Sequence, residues 1–416
     1  MKKLFRAEPG YLMAYEVTSG WAVKIAGDNL TLLKEWLDTG VTNDFIQMLE
    51  KRDFLNPDRD EEVQAELKVL LGRCQEIQAP LRSMSVPELM NIELTTRCPL
   101  RCPQCYCDLH RGHDIKPEVA LAYIEQAARL KIPFINLSGG ETLVYPYLTE
   151  LIKVISAKGL NASIAICGWG FDAARLAELK AAGVDQIYVS LNGSTSEVNA
   201  KSRDGYELAI KALQLLQADQ GLNYHINWVA RNDNVADFPQ LVSLGRELGV
   251  NSIVILESKP DAAYVMQASL SRENFMYLAD YLKKHDQQEI KIDVEPCFSP
   301  LKAYINNYYL WNRNTGVNKG CGAGRNGISV SVEGYLTPCR HLLYPEDYAD
   351  IEEYWWHSGV LHTLRSFEDN REEPCKSCSL NNNCVSCRAV ADKVEKNLFS
   401  GNHYCPLGVA KEVEVF

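Results

Sequence analysis

The sequence predicts an α/β protein in three parts: a small N-terminal module, a mainly parallel sheet wrapped by helices, and a cysteine-rich C-terminal region. Three observations predict it. Between about 88 and 295, apolar strand-like runs alternate with amphipathic helical stretches. Before about residue 80 the pattern is a strand pair followed by helical stretches, and after 296 the periodicity gives way to cysteines, glycines and prolines. A chain of 416 residues with 46% hydrophobic content has material for more than one core.

In residues 1–80, Tyr11 to Val17 and Trp21 to Ala26 read as short strands around a Ser19-Gly20 turn, and three helical stretches follow. The third is clearest, because Val63, Leu67, Leu70, Leu71 and Cys74 share one helical face. Two strands and three small helices suggest a compact winged-helix-like module. The stretch from Ala79-Pro80 to Pro87 reads as a linker. In residues 88–296, strands are expected at 89–95, 133–137, 162–167, 186–191, 223–229, 251–257 and 290–294. Helices are expected at about 117–130, 147–158, 172–182, 205–218, 236–248 and 271–285. Such alternation predicts a parallel sheet, open or curved into a barrel, with its active site at the C-terminal ends of the strands. Residues 297–416 read as a fold built around ligated metal rather than a large apolar core.

A net charge of -11 and a pI near 5.4 argue against holding a nucleic-acid backbone. A DNA-binding winged helix needs a basic helix face, yet Leu30 to Leu37 carries only Lys34, next to Glu35. No window approaches a membrane span, and Met1-Lys2-Lys3-Leu4-Phe5-Arg6 runs into charged sequence without a secretory core. The expectation is a cytoplasmic protein with neither a membrane nor a nucleic-acid partner. In a reducing cytosol, the 14 cysteines at short fixed spacings read as metal ligands rather than disulfides.

Cys98-Pro99-Leu100-Arg101-Cys102-Pro103-Gln104-Cys105 places three thiols directly after a predicted strand. Three thiolates can hold three irons of a [4Fe-4S] cube and leave the fourth open. The competing reading is a zinc knuckle completed by His110 or His113. A strand, C-x3-C-x2-C, an aromatic (Tyr106) and then a strand ending in Ser138-Gly139-Gly140-Glu141 together resemble the radical SAM superfamily. The resemblance implies a partial (β/α)6 barrel, matching the count of strand-helix units. It implies that Cys98, Cys102 and Cys105 hold the cluster and that S-adenosylmethionine (SAM) chelates the open iron, with Tyr106 among its contacts. Glu141 and the Gly139-Gly140 backbone would then bind the methionine amino group. Ser190 and Asn192, two apart on one strand and so facing one side, would hold the ribose or carboxylate, and Arg203 would pair with the carboxylate. The family's Thr-Asn-Gly turn after the third strand is replaced by Cys167-Gly168-Trp169-Gly170.

The tail reads Cys321, Gly334-x4-Cys339, Cys375-x2-Cys378-x5-Cys384-x2-Cys387 and Cys405. It is similar to the SPASM extension of peptide-modifying radical SAM enzymes, departing by one residue between Cys384 and Cys387. Carried over, one auxiliary [4Fe-4S] cluster uses Cys321, Cys339 and Cys387, and the other uses Cys375, Cys378, Cys384 and Cys405. Cys297 is the candidate fourth ligand of the first; otherwise that iron is open to a substrate cysteine. A zinc ribbon shares the C-x2-C spacings. Cys74 reads as core, while Cys107 and Cys167 have no assigned role.

The resemblance implies three [4Fe-4S] clusters and SAM as cofactors, an external electron donor such as flavodoxin or ferredoxin, and hydrogen abstraction by a 5′-deoxyadenosyl radical. The N-terminal module is similar in size and position to leader-recognition elements, which add a peptide to a sheet edge. The function expected is a maturase that installs a thioether or carbon-carbon crosslink in a ribosomally made precursor peptide. The alternatives are sulfatase-maturase-like oxidation of Cys or Ser to formylglycine, or a non-enzymatic metal-binding protein. No spacing singles out a catalytic acid or base.

Overall fold

The computed structural model describes residues 2–55, 61–105, 107, 112–259, 270–285, 289–305, 319–401 and 405–407. The chain begins with a three-stranded antiparallel sheet of β1 (Lys3–Glu8), β2 (Tyr11–Glu16) and β3 (Trp21–Ala26), in that spatial order. Helices α1 (Asp28–Thr39), α2 (Asp44–Lys51) and α3 (Glu61–Arg73) follow. The sheet thus has one strand more than the sequence suggested. In β1, Arg6 and Glu8 are charged yet buried, because they pair with each other at 2.8 Å and so mask the strand's alternation. Leu12, Ile25, Leu33, Trp36, Leu49 and Leu67 form the module's own core, and Cys74 belongs to it, its thiol donating to the Leu70 carbonyl at 3.2 Å.

All the expected strand-helix units are present. Strands β4 (Leu89–Thr95), β5 (Phe134–Gly139), β6 (Asn161–Ile166), β7 (Gln186–Ser190), β8 (Asn223–Ala230), β9 (Ser252–Glu257) and β10 (Lys291–Val294) pair in parallel, each with its sequence neighbours. Between them run α4 (Pro117–Arg129), α5 (Leu148–Ala157), α6 (Ala173–Ala182), α7 (Tyr206–Asp219), α8 (Phe238–Glu247) and α9 (Arg272–Lys284). Strand β8 shows the logic of the curved sheet: Tyr224, Ile226 and Trp228 are buried, while His225, Asn227 and Val229 alternate with them and face the lumen. The outward residues pack with the helices into one continuous core that includes Ile92, Leu137, Ile164, Val189, Ile226 and Ile255.

The three parts interlock. A short hairpin of β11 (Gly327–Val330) and β12 (Leu336–Thr337) from the C-terminal region extends the barrel sheet, with β11 parallel to β4. The stretch that reads as a linker is packed instead: the Ser85 amide donates to Glu8, Met84 N donates to the Arg325 carbonyl, and Trp355 Nε1 donates to the Met84 carbonyl. Each bond reaches a different part of the chain, which leaves this strap no periodicity to read. The module closes the underside of the barrel. Tyr15 meets Phe134 edge-on at 5.8 Å, Asn161 donates to the Val17 carbonyl at 2.7 Å and Gln186 to the Thr18 carbonyl at 3.2 Å, all at the N-terminal starts of barrel strands. Among the described residues, no helix is long and apolar enough to cross a membrane.

Candidate active site

The lumen encloses a cavity of about 440 Å3 that runs from the Ser19-Gly20-Trp21 turn at its floor to the loop carrying Cys98, Cys102 and Cys105 at its mouth. That loop leaves the end of β4 and is docked on the turn after β7. Gln104 N donates to the Ser202 carbonyl at 3.3 Å, Arg101 N to Asp204 Oδ2 at 2.9 Å, and Leu100 packs beneath Gly205. The same turn therefore carries Arg203 to the thiols. Its return leg is tied by Asp114, which accepts from Arg97 Nε at 2.9 Å and from the Thr95 hydroxyl at 2.6 Å. The Cys105 thiol is pushed down to about 6, mainly by a hydrogen bond from Cys107, and the Cys98 thiol is lowered by its contact with Cys167.

Cys98, Cys102, Cys105, Gly139, Gly140, Ser190, Asn192 and Arg203 all line this one cavity. Glu141 sits behind the wall, fully buried, with Oε1 accepting from Leu143 N at 3.1 Å and Oε2 from Cys167 N at 2.7 Å. Each carboxylate oxygen retains a further lone pair. The glycines are demanded by close backbone approach. A Cβ on Gly140 would lie 2.3 Å from the Arg97 carbonyl oxygen, and the Gly140 amide already donates to the Thr95 carbonyl at 2.6 Å. Asn192 is braced on both sides, accepting from Val229 N at 3.1 Å and donating to the Ser202 hydroxyl at 2.9 Å. Among the described residues, Arg203 Nε is buried without a hydrogen-bond partner. His113 is exposed and off the cavity wall. Tyr106 and His110 lie outside the described residues.

A second thiol group stands beyond the barrel mouth. Cys297 lies within hydrogen-bonding reach of both Cys321 and Cys387, and Cys339 is close enough to both of those for its charge to be felt. Cys321 and Cys387 are buried and Cys297 and Cys339 partly so; burial pushes the Cys339 thiol up to about 12, while the bond from Cys297 pulls Cys321 down to about 5. Gly320 positions Cys321, since a Cβ there would meet the Val385 carbonyl oxygen at 2.1 Å. Cys384 neighbours Cys375 and Cys378, and shares a 3.1 Å bond with the Ser299 hydroxyl. Between the two sets lies Arg388, 1% exposed and stacked 3.9 Å over Phe367. Its hydrogen bonds go to the Ser386, Leu398 and Ser400 carbonyls and the Ser386 hydroxyl, and its charge faces Cys321, Cys375, Cys384 and Cys387. A buried cation with neutral acceptors is costly unless anions stand nearby. Among the described residues, no three His, Cys, Asp or Glu side chains are arranged to hold a single metal ion.

Three features escaped the sequence. Lys259, barely exposed, is gripped by Glu295 at 2.6 Å and Glu257 at 3.5 Å at the mouth, beside Cys297 and Cys387. His225 stacks on Tyr188 at 4.7 Å, donating or accepting at Ser252, while its Nε2 is buried without a partner among the described residues. Cys167 joins the thiols at the mouth. Period-2 inward positions on β8 would have found His225; Lys259 lies beyond the end of β9 and carries no such signal, and the only signal for Cys167 was the departure from a Thr-Asn-Gly turn.

The Radical SAM superfamily profile matches residues 92–245, the span that holds the first thiol loop, Glu141 and Arg203. The PqqA peptide cyclase of Gluconobacter oxydans (strain 621H) is 28% identical over 341 residues, covering 78% of this chain and 91% of that protein. SuiB of Streptococcus suis, solved with S-adenosylmethionine and with precursor peptide SuiA, superposes over 97% of this chain and 98% of its own at 17% identity, with TM-scores of 0.70 and 0.71. The protein anSMEcpe with bound AdoMet covers 77% of this chain and 94% of its own at 15% identity and a TM-score of 0.61. The barrel is accordingly a radical SAM domain over the matched residues, that of a SAM-dependent radical enzyme with a [4Fe-4S] cluster.

Proposed function

We propose that this chain matures a ribosomally made precursor peptide, using three [4Fe-4S] clusters and SAM to close an intramolecular thioether or carbon-carbon crosslink. The observation that carries it is the coincidence, around one lumen, of a radical SAM thiol loop, two further thiol groups beyond the mouth and a small sheet with an edge strand beneath the floor. The relatives agree in kind, being named as a peptide cyclase and as an enzyme solved with its precursor peptide.

The donor sets fit the groups. Cys98, Cys102 and Cys105 offer three soft thiolates on one cavity wall, which suits a cube with one open corner. The unpartnered Arg203 Nε beside them suits the SAM carboxylate, and Glu141, with spare lone pairs, suits its amino group. Cys297, Cys321, Cys339 and Cys387 would hold the nearer auxiliary cluster with a full set of thiolates; Cys375, Cys378, Cys384 and Cys405 would hold the other. Arg388, buried between them, is the cation that two anionic clusters would offset. When bound, the first cluster and SAM supply a 5′-deoxyadenosyl radical that removes hydrogen from substrate, and the auxiliary clusters accept the electron released when the new bond closes.

The chain's own residues do the rest. Ser190 and Asn192 present polar groups from the barrel wall to the nucleoside, Asn192 being held by Val229 and Ser202. The module's floor contacts close the lumen from below and limit water around the radical. Strand β3 is an edge of its sheet and would take the leader peptide as an added strand. An external donor such as a flavodoxin or ferredoxin would reduce the first cluster.

The test is mass spectrometry of a short peptide encoded beside this gene, incubated anaerobically with the reconstituted protein, SAM and a reductant. Loss of two hydrogens with one thiol consumed supports a thioether, and loss with all thiols still alkylatable supports a carbon-carbon bond. Gain of an aldehyde at Cys or Ser would establish the formylglycine reaction instead. Formation of 5′-deoxyadenosine with the peptide unchanged would reject this substrate class.

A further inference from the structure

Cys167 belongs to none of the motifs from which the site was read, yet its position is tightly built. It follows β6, where Gly168 takes φ +94, and a Cβ on Gly168 would lie 2.4 Å from the Leu208 carbonyl oxygen of α7. Only glycine allows the turn to press on that helix so closely. Cys167 is held there at 4% exposure, on the cavity wall it shares with Cys98, Cys102 and Cys105. Its amide donates to Glu141 Oε2 at 2.7 Å, and its thiol lies within hydrogen-bonding reach of the Cys98 sulfur and the Glu141 carboxylate. One residue therefore touches both an expected cluster ligand and the carboxylate expected to receive the SAM amino group.

We propose that Cys167 is a positioning residue of the SAM cluster, its S–H donating to the Cys98 sulfur while its amide N–H orients Glu141. The proposal rests on Cys98, Cys102 and Cys105 being the cluster ligands. An iron-bound thiolate carries negative charge and accepts hydrogen bonds, and donors to cluster sulfurs are among the factors that set a cluster's reduction potential. A donated S–H draws charge from the sulfur and favours the reduced cluster, the state that must pass an electron to SAM. A thiol spent as a donor also leaves the open iron to SAM. Cys107, the other unassigned thiol at this mouth, donates to the Gly139 carbonyl at 3.5 Å and also stands within hydrogen-bonding reach of Cys105.

The experiment is a redox titration followed by EPR on the reconstituted full-length protein and on Cys167→Val, Cys167→Ala and Cys167→Ser. The SAM cluster is recognised as the signal that changes when SAM is added. The midpoint should move to more negative potential in the Val and Ala variants and return toward the wild-type value in Ser, whose hydroxyl can donate, with iron content equal in all four proteins. A midpoint unmoved in Val and Ala overturns the proposal, as does an equal shift in Ser and Ala, which would mark a packing effect. If the Val variant fails to assemble its cluster, the Ala and Ser pair decides by the same criterion. Absence of any SAM-responsive cluster from the wild-type protein would overturn the ligand assignment itself, and this proposal with it.

Discussion

Replacing Arg203 by Met should weaken SAM binding without emptying the cluster loop. The loop bearing Arg203 is anchored independently of the guanidinium, through Asn199 Nδ2 donating to the Arg203 carbonyl at 2.7 Å and the Arg203 amide donating to the Asn199 carbonyl at 2.8 Å. The side chain is thus presented to the cavity in advance, with Nε buried and unpartnered. A hydrogen bond to a charged group contributes about 1.5–3 kcal/mol. Arg203 is only half-buried, so solvent screens part of that, and the lower end applies: roughly a tenfold rise in the SAM Kd. Arg203→Lys keeps the charge but loses the planar fork and should fall between the two. Anaerobic calorimetry with SAM on reconstituted protein measures this, with iron analysis as control. A Met variant that binds SAM within twofold of wild type would show that Arg203 does not receive the carboxylate.

Cys297→Ala should lower the iron content from about twelve to about eight per chain, whereas Cys107→Ala should leave it unchanged, because only the former removes a thiol from a four-cysteine group. Gly140→Ala should displace the start of the cluster loop, since its methyl would meet the Arg97 carbonyl at 2.3 Å; overpacking of this kind costs about 1–3 kcal/mol, and iron loading and SAM binding should both fall, as iron analysis and calorimetry would show. Burial drives the His225 pKa down to about 3. The unfolded chain binds this proton below about 6.5 and the folded one does not. Stability is therefore full above about 6.5 and falls by about 1.4 kcal/mol per pH unit as the pH drops toward about 3. His225→Gln should flatten urea-unfolding midpoints measured between these limits by that one proton; an unchanged slope would mean His225 is protonated in the fold.

The barrel was legible because its strands carry the right period: buried apolar side chains outward and polar ones inward leave alternation that survives in β8 and its neighbours. Strand β1 was not, because Arg6 and Glu8 satisfy one another inside the protein and read as surface. Strands β11 and β12 are too short to show any period. The thiol loop, the glycine pair and Arg203 converge on one cavity. Cys297 could be suspected only from its place beside the tail, since its approach to Cys321 and Cys387 is set by tertiary folding. Cys167 was invisible as a motif for the same reason: its partners Cys98 and Glu141 come from the ends of two other strands.

The position of the module constrains how a peptide would reach the chemistry. Strand β3 begins at Trp21, which lines the floor of the lumen, whereas the thiol loop stands at the mouth. The intervening barrel strands are 4 to 8 residues long, or about 13–26 Å at about 3.3 Å per residue. A leader strand seated on β3 must therefore be joined to the modified residue by a segment that climbs the outside of the barrel. At about 3.3–3.6 Å per extended residue, that segment needs roughly four to eight residues, and more if it curves. Serial deletion within the segment between leader and modified site should leave the reaction intact until this limit and then abolish it, while leader affinity, measured by fluorescence anisotropy, stays constant throughout. Full modification of a peptide with only two or three spacer residues would place the leader near the mouth and remove β3 as its seat.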